Sequence, residues 1–100
     1  MEGKKFDSGK VDWTLMPFDS LEDVVYVLMF GAQKYARDNW QKVPNPKQRY
    51  IAAAMRHIVA YQKGEKKDSE SGLPHLAHAA CCILFTAWFD KKEEQDEKIS

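Results

Sequence analysis

The sequence predicts an all-α protein, and three observations carry that expectation. Apolar residues recur at helical spacing in two separate stretches, a third stretch is apolar on nearly every side, and no segment shows the period-2 alternation of a strand. The chain has 100 residues, near the commonest size of one domain, and nothing in it resembles a linker between two cores. A single domain over residues 1–100 is expected, folded as a compact helical bundle of about three main helices behind an extended N-terminal arm.

Residues 1–19 form that arm, because Gly3, Gly9 and Pro17 punctuate a polar stretch without helical period. Ser20, followed three positions later by Asp23, has the form of a capping box. Leu21, Val24, Val25, Leu28, Ala32 and Tyr35 then mark a first helix over about Leu21 to Ala36. Asp38-Asn39 and Val43-Pro44-Asn45-Pro46 break the pattern, since each proline disfavours helix in the residue before it. The stripe resumes from Lys47 at Ile51, Ala54, Met55, Ile58 and Gln62, and Gly64 is a natural stop for this second helix. Residues 65–72 make a charged connection. Ser71 is positioned to cap a third helix of roughly Gly72 to Glu93, with Pro74 in its first turn. Between Leu76 and Phe89 this helix is apolar on nearly every side, which in a soluble chain calls for burial all round. Two shorter helices can hardly enclose it, so a homo-oligomer packed through the third helix is expected. Residues 90–100 read as a charged, fraying tail.

Fifteen basic and fifteen acidic side chains cancel, which excludes the bulk positive field of a non-specific nucleic acid binder. Any phosphate recognition must be local. The charged start, Met1-Glu2-Gly3-Lys4-Lys5, lacks the apolar core of a secretory signal, and the apolar run of the third helix is interrupted by Pro74, His75 and His78. The expected setting is therefore the cytoplasm, with no membrane partner. Cys81 and Cys82 are neighbours on a helical pattern, poor geometry for a mutual disulfide and ordinary for reduced, buried thiols.

All three histidines fall in the two helices that flank the acidic connection, and His75 and His78 share a helical face. Lone histidines on apolar helices are usually packed core residues, and this clustering is what lifts them above that baseline. His75, His78 and Cys82 also have the spacing of a soft-metal site, although Cys82 suits a packed helix better. Arg56, beside His57, presents a planar fork of donors suited to phosphate; the plain alternative is an ion pair with Glu65, Asp68 or Glu70. Those three carboxylates crowd the turn before the third helix. They suit a hard cation such as Mg²⁺, while backbone N–H groups near Ser71 and Gly72 favour an anion. Alternatively they form a solvated loop offset by Lys63, Lys66 and Lys67. A last cluster, Lys34-Tyr35 with Asn39-Trp40, closes the first helix: Trp40 either stacks on a base, with Asn39 reading its edge, or is a hydrophobic lid over the junction of the first two helices. No Gly-rich phosphate loop, Cys-x-x-Cys or nucleophile elbow occurs.

Several segments together resemble a phage-associated family of dATP/dGTP diphosphohydrolases, related to the MazG-like all-α pyrophosphohydrolases. They are Lys5-Phe6-Asp7-Ser8-Gly9-Lys10-Val11-Asp12, Leu28-Met29-Phe30-Gly31-Ala32-Gln33-Lys34-Tyr35 with Asn39-Trp40, Arg56-His57-Ile58, Lys63-Gly64-Glu65, and Asp68 through Ala80. The resemblance implies an oligomeric helical protein of phage origin that hydrolyses purine deoxynucleoside triphosphates with Mg²⁺ or Mn²⁺, releasing pyrophosphate. On that reading Glu65, Asp68 and Glu70 hold metal. Arg56 and Lys34 hold phosphates, Glu70, His75 and His78 serve catalysis, and Tyr35, Asn39, Trp40, His57, Ser71 and Gly72 complete the nucleotide site. The chain departs from the MazG-like pattern of Glu-x-x-Glu on one helix and Glu-x-x-Asp on the next, since Arg56 and His75-Leu76-Ala77-His78 stand there. That departure opens an alternative, a sponge that sequesters a linear or cyclic nucleotide immune signal without cleaving it.

Overall fold

Apolar spacing becomes three helices in the computed structural model, which describes residues 9–99: α1 (Phe18–Lys34), α2 (Pro46–Gln62) and α3 (His75–Ile99). Among the described residues there is no strand, only one isolated bridge between Lys67 and Pro74. Of the expected arm, residues 1–8 lie outside the described residues. The rest holds a 3-10 turn at Trp13–Leu15, with the Asp12 carboxylate accepting from the Thr14 N–H at 3.1 Å.

The helix ends differ from expectation for identifiable reasons. The first helix starts at Phe18, not Leu21, because the Pro17 carbonyl accepts from the N–H groups of Ser20 and Leu21, both at 3.1 Å. Ser20 therefore lies inside the first turn and caps nothing. Helix α2 starts on Pro46, whose fixed φ suits a first helical position, after Asn45 turns the chain with φ 49°. Gly64 ends α2 as expected. At φ +100° it donates to Tyr61 at 2.9 Å while Glu65 donates to Ala60 at 3.0 Å, the paired bonds of a Schellman motif. The third helix starts three residues later than expected: the Pro74 carbonyl takes the N–H groups of Ala77 and His78, and Ser71 is committed elsewhere. Nor do residues 90–99 fray. They extend α3, and Lys47 at the start of α2 pairs with Asp90 at 3.1 Å and Glu93 at 2.9 Å.

Helix α3 is central, packing along α2 and more briefly against α1. Small residues permit the close approach: Val24 and Val27 of α1 meet Ala77 and Cys81 of α3, with Leu73, Ala80 and Phe85 around them. Burial pushes the Cys81 thiol up to about 12, and raises that of Cys82 too, so both are inert packing groups. The bundle is open rather than compact. Its radius of gyration is 16.0 Å, against about 13 Å for a compact chain of this length. Helix α3 is not enclosed either, for Leu76, Ile83, Leu84 and Trp88 all face solvent. No helix among the described residues is long and apolar enough to cross a membrane.

Candidate functional site

Between α2 and α3 the chain folds back on itself tightly. Asp68 donates its N–H to Leu73 at 2.9 Å, Gly72 donates to Asp68 at 2.8 Å, and His75 donates to Lys66 at 2.8 Å. Gly72 takes φ +74°, a conformation that side chains rarely adopt, which is why glycine stands there. The Asp68 carboxylate accepts from the Ser71 N–H at 3.3 Å, an Asx-type closure of the turn. The acidic connection is thus a folded cap, pressing its polar side chains onto the start of α3.

Under that cap the three histidines converge. Nδ1 of His57 lies 2.8 Å from Nδ1 of His75, and Nε2 of His75 lies 2.7 Å from a Glu65 carboxylate oxygen. The His57 ring stacks on that of His78, with centroids 4.6 Å apart and an interplanar angle of 11°. Nε2 of His78 meets Ser71 Oγ at 2.7 Å and lies 3.8 Å from the Asp68 carboxylate, while Ser71 Oγ also accepts from the Leu73 N–H at 3.1 Å. Burial, reinforced by the neighbouring imidazoles, holds the pKa of His57 below its ordinary value. Burial does the same at His78, against the opposing pull of Asp68. His75 is only 4% exposed with both ring nitrogens engaged, so it cannot contact a phosphate.

Beside the cluster lies a cavity of about 480 Å³, lined by Met55, Arg56, Val59, Ala60, Lys63 and Glu65. Among the described residues Arg56 and Lys63 have no ion-pair partner, so the surface salt bridge weighed for Arg56 does not form. Two free cations over an apolar floor, with one carboxylate at the edge, form a surface suited to an anion carrying an apolar body. In the sequence Lys63 reads only as an offset to the acidic connection. Yet Met55, Arg56, Val59, Ala60 and Lys63 follow helical spacing along one face of α2, a signal that was there to be found. A second cavity of about 480 Å³ lies against the α1 side of the cap, lined by Tyr26, Met29, Phe30, Ala32, Gln33, Ser71 and Leu73.

The other expected site residues divide. Lys34 pairs with the Glu70 carboxylate, which holds its ammonium pKa above the ordinary value, and lies 6.0 Å from the Phe30 ring centre and 5.3 Å from that of Tyr35. Lys34 therefore reaches the outer side of the cap through Glu70, and Tyr35 lies beside Lys34. Trp40 does not reach the cap. Trp40 stacks on Phe85 with centroids 4.2 Å apart, Trp88 and Phe89 stand edge-on to it, and Tyr50 donates its hydroxyl to the Trp40 carbonyl at 2.8 Å. Phe85 is seven residues beyond His78, roughly 10 Å along α3. Trp40 is a lid, as one of its two sequence readings has it, but over α2 and α3 rather than the first two helices.

The carboxylates do not fit the expected cation. Glu65 faces His75, Asp68 faces His78 and Ser71, and Glu70 faces Lys34. Among the described residues no three His, Cys, Asp or Glu side chains gather in a way that would hold a metal ion. His75, His78 and Cys82 do not make a soft-metal site for the same reason.

This arrangement sits in a chain whose relatives are known. The family model described as "dATP/dGTP diphosphohydrolase, N-terminal" matches residues 1–98. A protein named dATP/dGTP diphosphohydrolase from Salmonella phage PMBT28 is 41% identical over 88 residues, which is 88% of this chain and 30% of that protein. The chain thus spans under a third of the length of this curated relative. No solved structure matches. The match over nearly the whole chain places this helical protein, with its capped histidine cluster, in the family of the dATP/dGTP diphosphohydrolase N-terminal region.

Proposed function

We propose that this chain holds a purine deoxynucleotide by its phosphates in the Arg56–Lys63 cavity, in the cytoplasm of a phage-infected host. The observation that carries the reading is the pair of cations, free of ion-pair partners among the described residues, above the apolar floor of Met55, Val59 and Ala60. A guanidinium fork and an ammonium are the recurrent partners of phosphate oxygens, and an apolar floor suits a sugar or base edge. The relative's name supports purine deoxynucleoside triphosphates as the ligand class.

Capture is the reading favoured by the carboxylates. Each is engaged by a basic or N–H partner, whereas metal-activated hydrolysis needs acids gathered on a cation. The function of a nucleotide sponge follows from binding without that set. Hydrolysis to monophosphate and pyrophosphate, with Mg²⁺ or Mn²⁺, is the second reading, supported by the relative's name. It would require metal donors beyond Glu65, Asp68 and Glu70.

A homo-oligomer is part of the proposal. Exposed apolar side chains on α3 suit an interface with a second copy of the chain. Ile83, Leu84 and Trp88 on α3 supply its apolar centre.

The test incubates purified protein with each deoxynucleoside triphosphate, and with a cyclic dinucleotide, in Mg²⁺ or Mn²⁺. Pyrophosphate release and calorimetric binding are both measured. Tight, reversible binding without pyrophosphate supports capture; steady pyrophosphate release from dATP or dGTP replaces it with hydrolysis. Absence of binding, together with no rise in melting temperature, would overturn both.

A further inference from the structure

With both imidazoles neutral and Glu65 ionised, the hydrogens in the chain Glu65, His75, His57 follow from its contacts. An ionised carboxylate only accepts, so the 2.7 Å contact with Glu65 puts a hydrogen on Nε2 of His75. A neutral imidazole with hydrogen on Nε2 has its lone pair on Nδ1. The 2.8 Å contact between the two Nδ1 atoms then needs its hydrogen from His57. That leaves Nε2 of His57 without a hydrogen. The His75 ring is buried with both nitrogens engaged, which holds its orientation between Glu65 and His57. Stacking on His78 further fixes the plane of the His57 ring.

We propose that Glu65 and His75 are positioning residues that lock His57 as its Nδ1–H tautomer, making His57 Nε2 the hydrogen-bond acceptor of the site for an O–H donor. The donor is a hydroxyl of the bound nucleotide or a water beside it. This ligand side rests on the nucleotide reading above: Glu65 and Arg56, the sequence neighbour of His57, both line the cavity. The wiring itself does not depend on it. The arrangement assigns different tasks to the histidines: His75 fixes a tautomer, His57 receives a hydrogen bond, and His78 pairs with Ser71.

Long-range proton–nitrogen NMR of ¹⁵N-histidine-labelled protein at neutral pH reads each tautomer directly. The expected result is Nδ1–H at His57 in the native protein. Conversion toward Nε2–H is expected in Glu65→Ala and His75→Phe, with the native tautomer kept in Glu65→Gln, whose amide oxygen still accepts from His75. Glu65 is largely exposed, so its variants fold even if His75→Phe does not. Nε2–H at His57 in the native protein, or a tautomer unmoved by Glu65→Ala, overturns the proposal. Addition of dATP then separates the two readings. A shift of the His57 Nε2 resonance supports the acceptor role. No shift with dATP shown to bind overturns that role, and no dATP binding at all is instead the failure of the nucleotide reading.

Discussion

His57 and His75 meet Nδ1 to Nδ1 at 2.8 Å, one from the middle of α2 and the other at the first residue of α3. Only one of the two nitrogens can carry the shared hydrogen. The contact joins two helices through a pair of imidazoles. Around His57 stand His75 and His78 from α3, Asp68 from the cap and Arg56 on its own helix; around His78 stand Asp68, Glu70, Ser71 and His75.

Stability should fall as pH drops below neutrality. Both His57 and His78 titrate below their ordinary 6.5 in the folded state, so the unfolded chain binds more protons there. Their contribution is fully present above about pH 6.5 and is lost progressively as pH falls through the depressed folded values. Melting temperatures measured between pH 8 and pH 5 should decline, and His57→Asn should flatten the decline. An equally steep decline in that variant would assign the effect to other groups.

Removing either cation of the cavity should weaken dATP binding without unfolding the protein. Arg56→Ala and Lys63→Ala each delete a charge-assisted phosphate contact, for an expected loss of about tenfold in affinity. Neither residue has an ion-pair partner among the described residues, so melting temperature should hardly move. Calorimetric titration of the two variants checks this, and native affinity in both would displace the site.

Trp40→Ala should behave in the opposite way. The indole stacks on Phe85 and touches Trp88 and Phe89, so truncation costs about 3 kcal/mol of stability. Binding of dATP by the molecules that remain folded should be native, because this cluster sits roughly two helical turns from the histidines. Chemical denaturation and titration of the same sample would reveal any shared role.

Leu84→Glu should dissolve the proposed oligomer. Leu84 is 54% exposed on α3, where a carboxylate costs the single chain little but would be desolvated in a subunit interface. Sedimentation should change from an oligomer in the native protein to a monomer in the variant. A native protein that sediments as a monomer would show that α3 keeps its apolar side in water.

Helix content was legible from local information. Apolar spacing marked α1 and α2, and Gly64 marked a stop that the structure makes as a Schellman motif, because those signals act within one or two turns. Helix starts were less legible. Pro17 and Pro74 provide the first accepting carbonyls where Ser20 and Ser71 had the more familiar capping chemistry. The tail from Asp90 read as fraying because its stabilising partner, Lys47, lies 43 residues away in sequence.

The sequence by itself determined the residue types of the site: three histidines, Arg56 and three carboxylates gathered near one turn. Tertiary structure decided what each of them does. Whether Glu65 grips a cation or His75, whether Arg56 is paired or free, and whether Trp40 receives a base or covers a helix pair all depend on which side chains meet across α2, the cap and α3. Hydrogen bonds and ion pairs act over about 3 to 4 Å, and side chains with the same composition and spacing can meet or miss over that distance. The fold of the cap, closed by Gly72 and the Asp68 backbone, is what turned a charged connection into a wired histidine cluster.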